Sequence, residues 1–196
     1  MVLRNRRPAA PAAASEEQLL DAARWHILRY DQLRASLASR ASFVVSADAA
    51  LIAGVTFLFS WTASHHVYGG TASIALIGMG MLIALVFAVL SVRSASRALL
   101  SSRSWRTLFG AEPPPSLFYQ HTDTIRAAPE YTQFSAAFKG QSVRSELDSA
   151  VVNLWVVLQT HAYRYRFLRV ATNELQIATL AFACSAVVAV VLGLVR

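Results

Sequence analysis

Apolar residues gather in three long blocks along the chain, separated by stretches in which apolar positions recur with a helical period. Ala41 to Ala63 holds Phe43, Val44, Leu51, Ile52, Val55, Phe57, Leu58 and Phe59, and Asp48 is its one ionisable residue. Thr71 to Val92 and Leu175 to Val195 carry no charge at all. Each block supplies the roughly 20 residues a helix needs to cross a hydrocarbon core of about 30 Å. Three transmembrane helices are therefore predicted.

The polar flanks predict further helices. Residues 1–14, rich in Pro and Ala, read as a disordered tail, after which Ser15 caps a helix with Glu16 and Glu17 in its first turn. Over 15–40, Leu19, Ala23, His26, Tyr30, Leu33 and Leu37 recur at alternating steps of four and three, the heptad seam of an amphipathic cytoplasmic helix. No Gly or Pro intervenes between Glu16 and Ala53, so this helix should enter the first span as one rod, with Ser39 to Ser42 as the place for any break. Residues 41–92 form a transmembrane hairpin. Residues 93–141 read as a cytoplasmic linker in which Pro113, Pro114 and Pro115 interrupt any helix, Pro129 and Glu130 open a short one, and Gly140 closes it. Within 142–196, Val151, Leu154, Leu158, His161, Tyr165, Leu168, Thr172 and Leu175 again alternate at three and four, so one long helix should continue into the third span. The fold class is an all-α integral membrane protein with three transmembrane helices and long cytoplasmic helical extensions. Those extensions should pair as a stalk or bundle, within one chain or between chains.

Composition sharpens this picture. At 55% hydrophobic, 15% charged and a mean hydropathy of +0.42, the 196 residues exclude a disordered segment, a collagen-like fibre and an ordinary water-soluble enzyme. The net charge of +7 is almost wholly arginine, because Lys139 is the single lysine, so lipid head groups or nucleotide phosphates are the expected partners. Arg4, Arg6, Arg7, Arg24, Arg29, Arg34 and Arg40 precede the first span, whereas Ser64 to Gly70 has neither Lys nor Arg. Basic residues return between the second and third spans, from Arg93 to Arg169. Short loops rich in Lys and Arg stay in the cytoplasm, which puts the N-terminus inside and the C-terminus outside the membrane. The first forty residues lack the apolar core of a signal peptide, so the first span should be retained. Cys184 is the one cysteine, which rules out a disulfide framework and a cysteine-based metal site.

A few polar residues stand out against this background. Asp48, with Ser46 beside it, lies about 10 Å into the first span, where a carboxylate is costly unless it is paired, hydrated or protonated. It reads as a pore-lining or inter-helix polar site, or as a structural hydrogen bond to Ser46 or to a neighbouring helix. Gly54, Gly78 and Gly80 suit close helix packing. His26, Tyr30 and His161 occupy seam positions, where the histidines could stack, sense pH or set register. The run containing Arg164, Tyr165, Arg166 and Arg169 reads as an interfacial anchor on lipid phosphate or as a nucleotide phosphate site. His65 and His66 have no acidic neighbour to complete a metal site. No Gly-rich phosphate loop, HExxH motif or nucleophilic triad occurs, so neither catalytic nor metal-ligating residues are expected.

Three short stretches resemble a known family: Ser46-Ala47-Asp48, Leu117-Phe118-Tyr119 followed by Glu130-Tyr131, and Arg164-Tyr165-Arg166-Phe167-Leu168-Arg169. Together with the order of helices, they are similar to small bacterial membrane effectors of cyclic-nucleotide-linked antiphage systems, the Pycsar-type transmembrane effectors and the SLATT group. Where that family often has a Lys after the acid of its first span, this chain has Ala49, Ala50 and Leu51. The resemblance implies a non-enzymatic homo-oligomer that works with a nucleotidyl cyclase, senses a cyclic nucleotide and impairs the inner membrane by assembly. It implies no bound cofactor and no specific nucleic acid. A second resemblance, to plasmid-transfer-associated membrane proteins of GC-rich actinobacteria, implies a non-catalytic scaffold or maintenance role instead.

Overall fold

The computed structural model describes residues 14–64, 70–100, 108–109, 118–119, 124–125 and 127–194. Among the described residues the chain is helical, without strands. Four helices are named here: α1 (Glu16–Ser64), α2 (Gly70–Leu100), α3 (Tyr131–Lys139) and α4 (Val143–Leu194). Three of them, α1, α2 and α4, are long and apolar enough to cross a bilayer. Residues 1–13 of the expected tail, the connector with His65 and His66, the Pro113 to Pro115 bend and Arg196 lie outside the described residues.

The helix ends follow from their caps. The Ser15 hydroxyl accepts from the Gln18 N–H at 3.3 Å while the Gln18 side chain accepts from the Ser15 N–H at 3.1 Å, a reciprocal capping box. The Ser142 hydroxyl accepts from the Ser145 N–H at 3.2 Å at the start of α4. α3 begins after Glu130 and ends at Gly140, whose N–H reaches the carbonyls of Ala136 and Phe138. Phe118, at φ 69°, donates its N–H to Thr124 Oγ1 and packs edge-on against Phe134 and Phe138, tying the linker to α3. With 49 and 52 residues, α1 and α4 extend about 74 Å and 78 Å. α1 is unbroken at Ser39 to Ser42.

One seam runs the length of α1. Leu20, Ala23, Ile27, Tyr30, Arg34, Leu37, Ala41, Val44, Asp48, Leu51, Val55 and Leu58 succeed one another at alternating steps of three and four and face the bundle or its cavity. This corrects the expected register. Ala23, Tyr30 and Leu37 hold their seam places, but Leu19, His26 and Leu33 are exposed, Leu20 and Ile27 take inner positions, and Arg34, though exposed, borders the cavity between α1 and α4. α2 presents Ile77, Met81, Ala84, Ala88, Ser91, Ala95 and Ala98 with the same period. On α4 the inner residues include Ala150, Asn153, Val157, His161, Arg164, Leu168, Ala171, Leu175 and Ala178, displacing the expected Val151, Tyr165 and Thr172, which are exposed. The two consecutive four-residue steps from Asn153 through Val157 to His161 form a stutter, which locally unwinds a left-handed supercoil.

The seams build three stacked clusters. Leu20, Ala23 and Ala150 close the lower end, Leu37, Ala41, Val44, Ala95, Ala98, Leu168 and Ala171 the middle, and Leu51, Val55, Leu58, Ile77, Met81, Ala84, Ala88, Ala178 and Ala189 the top. Small residues let the helices approach closely. A Cβ on Gly54 would meet Phe182 at 3.1 Å, and one on Gly80 would collide with the Ser185 hydroxyl, whereas Gly78 faces open space. Around the top cluster the outer surface is almost wholly apolar, with Phe43, Phe57, Phe59, Leu76, Leu82, Leu180 and Val190 exposed. Thr56 and Thr179 in that belt donate to the carbonyls of Ile52 and Leu175, so their hydroxyls need no water.

Candidate functional site

Two polar features interrupt the seams, one below the apolar belt and one inside it. The lower feature is a cavity of about 410 Å³ between α1 and α4, within the range of small-molecule sites. It lies at the stutter of α4. Ile27, Tyr30, Asp31, Arg34 and Leu37 line it from α1, Asn153, Val156, Val157, Thr160, His161 and Arg164 from α4, and Tyr119 from the linker. Tyr30 and His161 meet edge to face with ring centroids 5.6 Å apart, and Asn153 is buried at the wall.

The electrostatics of the cavity are set by two guanidinium groups. Arg164 is pulled below its ordinary range first by burial and then by the charge of Arg34, so the two cations converge on one space. His161 is likewise lowered by burial and then by Arg164, which favours its neutral form. Asp31 is the acidic residue of the lining and is exposed. Below the cavity, Arg24 forms an ion pair with Glu146 across α1 and α4 and is raised by hydrogen bonds to Glu146 and then Tyr119, so the linker is fastened where the helices meet.

The upper feature centres on Asp48, whose side chain has 0% exposure. Its partner is Ser91 on α2, also at 0%, whose Oγ stands 2.7 Å from Asp48 Oδ2 and 3.0 Å from the carbonyl oxygen of Ala171 on α4. One hydroxyl group thus joins all three long helices. Glu174, one turn beyond Ala171, is close enough for its charge to act on Asp48. Among the described residues, no hydrogen-bond partner reaches Asp48 Oδ1 or Glu174 Oε2, and both atoms are buried. The middle cluster closes this node from below and the top cluster from above.

The expected site residues are thus divided. Tyr30 and His161 meet in the cavity and Arg164 joins them. Tyr165, Arg166 and Arg169 are exposed on other faces of α4. His26 is exposed, edge-on to Trp25 and apart from His161. Ser46 donates to the Ser42 carbonyl at 3.1 Å and takes no part in the Asp48 node, so the neighbouring helix supplies the bond. Arg34, Asn153, Ser91 and Glu174 went unrecognised in the sequence. Alternation at three and four from Leu37 to Leu58 passes through Asp48, and extending it backward reaches Arg34, which is the signal that marks both. Among the described residues, no cluster of three metal-ligating side chains occurs. Comparison with models of protein families, with curated proteins and with solved structures found no match to this chain.

Proposed function

We propose that this chain is a bacterial inner-membrane effector, with its N-terminus in the cytoplasm and its C-terminus outside, that responds to an anionic ligand below the bilayer by altering its membrane helices. The observation carrying this reading is the placement of Tyr30, Arg34, Asn153, His161 and Arg164 around one cavity on the two helices that run unbroken into the apolar belt. A phosphate between Arg34 and Arg164 would relieve their mutual repulsion, and Tyr30 and His161 offer ring surface for a base. The family resemblance suggests a cyclic nucleotide as that ligand. Arg34 lies 14 residues from Asp48 on α1, about 21 Å along the axis, so a shift of α1 against α4 at the cavity carries directly to the node. Several copies would then assemble through their exposed apolar faces and impair the membrane.

The test is calorimetric titration of the full chain in lipid nanodiscs with cyclic mononucleotides and, separately, inorganic phosphate. Arg34→Gln and Arg164→Gln should each weaken binding roughly 10- to 100-fold, the worth of a charge-assisted hydrogen bond. Expression with a cognate nucleotidyl cyclase should collapse the membrane potential. Absence of binding together with an unchanged potential overturns the proposal. Trp25, Leu28 and Trp155 are exposed on the lower part of α1 and α4, which favours a second reading as a non-catalytic scaffold for plasmid transfer or maintenance. Capture of one defined protein partner through those residues, without loss of potential, would select it.

A further inference from the structure

We propose that the Asp48–Ser91–Glu174 node binds one small cation, either a proton or a monovalent metal ion, and that this ion holds the three long helices together. The site lies apart from the cavity along α1 and needs no ligand there. Its first support is a fully buried carboxyl group with one oxygen, Asp48 Oδ1, that has no partner among the described residues. Glu174 contributes a second buried, unpartnered carboxylate oxygen and acts electrostatically on Asp48. A fully buried carboxylate beside a second, half-buried one is costly without a compensating positive charge.

Among the described residues, no basic side chain acts on Asp48. α2 faces the node with Ala88, Ser91 and Ala95, and α4 brings Glu174 as its titratable group. The arginines nearest in sequence, Arg40, Arg93 and Arg169, are exposed. Hydrogen-bond counting leads to the same place by a separate route. Ser91 Oγ has one proton but sits at bonding distance from two oxygens, Asp48 Oδ2 and the Ala171 carbonyl. A proton on Asp48 Oδ2 donates to Ser91 Oγ and leaves the Ser91 proton for Ala171, so both contacts become true hydrogen bonds. A monovalent metal ion would instead neutralise the two free carboxylate oxygens, which are hard donors suited to such an ion.

The experiment is thermal unfolding of the detergent-solubilised full chain above neutral pH, where His161 no longer titrates. One series varies pH, and the other replaces an organic chloride salt with sodium chloride at constant ionic strength. Raising the bound cation to a hundred times its dissociation constant should increase Tm by about 5 to 10 °C. Stabilisation by acid alone, with an infrared carboxylic-acid band that disappears in Asp48→Asn, identifies a proton. Stabilisation by sodium at alkaline pH identifies a metal ion, and either result supports the site. Whichever dependence appears should vanish in Asp48→Asn; where that variant fails to fold, Glu174→Gln should abolish a sodium dependence, or move an acid dependence to lower pH by removing the neighbouring charge. A Tm indifferent to both pH and sodium, or a dependence that these substitutions leave unchanged, overturns the proposal.

Discussion

Ser91→Ala tests how the bundle is held, because it removes one oxygen and two contacts. Ser91 is fully buried and bridges Asp48 on α1 to the Ala171 carbonyl on α4. The Ala171 carbonyl retains its place in the helix ladder, so losing that contact costs little. Asp48 loses its recorded hydrogen bond in a setting where water does not replace it, which costs about 1–3 kcal/mol. For a chain of this size, 2 kcal/mol corresponds to a fall in Tm of about 4 to 8 °C. The same substitution in an Asp48→Val background should cost under about 1 kcal/mol, because no buried carboxyl is then stranded. The coupling energy from this double-mutant cycle, read by thermal unfolding in detergent, should be about 1–2 kcal/mol. An equal cost of Ser91→Ala in both backgrounds would refute the argument that Ser91 stabilises the bundle through Asp48.

Further outcomes follow from the packing and the cavity. Gly80→Leu should separate α2 from α4 and lower Tm by several degrees, because even its Cβ collides with the Ser185 hydroxyl, whereas Gly78→Leu, facing open space, should leave Tm within about 2 °C. His161 is lowered from its ordinary range, so the folded chain binds fewer protons than the unfolded chain below about pH 6.5. Its contribution is complete above that value and is lost as pH falls toward the folded-state value. His161→Gln should flatten this part of the Tm profile. Anion binding in the cavity favours the protonated ring, so affinity in calorimetry should rise on mild acidification and do so less in His161→Gln.

The three apolar blocks were readable because length and lack of charge identify a candidate span whatever its packing. The caps at Ser15 and Ser142 and the end of α3 at Gly140 were local signals of the same kind. The seam was harder. Searching for apolar residues selected Leu19 and Leu33, which are exposed, and passed over Arg34, because the register that includes Leu20, Ile27 and Leu37 also includes an arginine. The polar members of a seam are invisible to an apolar pattern, and here they are the residues of interest. Glu174 was missed because the third apolar block opens one residue later, at Leu175, and Ser91 because serine resembles any small packing residue. Asp48 was legible as an anomaly, but its partner Ser91 lies 43 residues away, Ser91 in turn meets Ala171 a further 80 along, and both contacts depend on how α2 and α4 pack.

The account rests on the exposed apolar belt facing lipid while the lower parts of α1 and α4 stand in water. Cys184 is exposed within that belt and is the chain's one cysteine, so it accepts a spin label directly. A second label goes on Leu28→Cys in a Cys184→Ala background, since Leu28 is exposed near the base of α1. In lipid vesicles, the label at Cys184 should relax readily with dissolved oxygen and scarcely with a water-soluble nickel complex, and the label at position 28 should show the reverse. Equal access of the nickel complex to both labels would contradict a bilayer-embedded bundle.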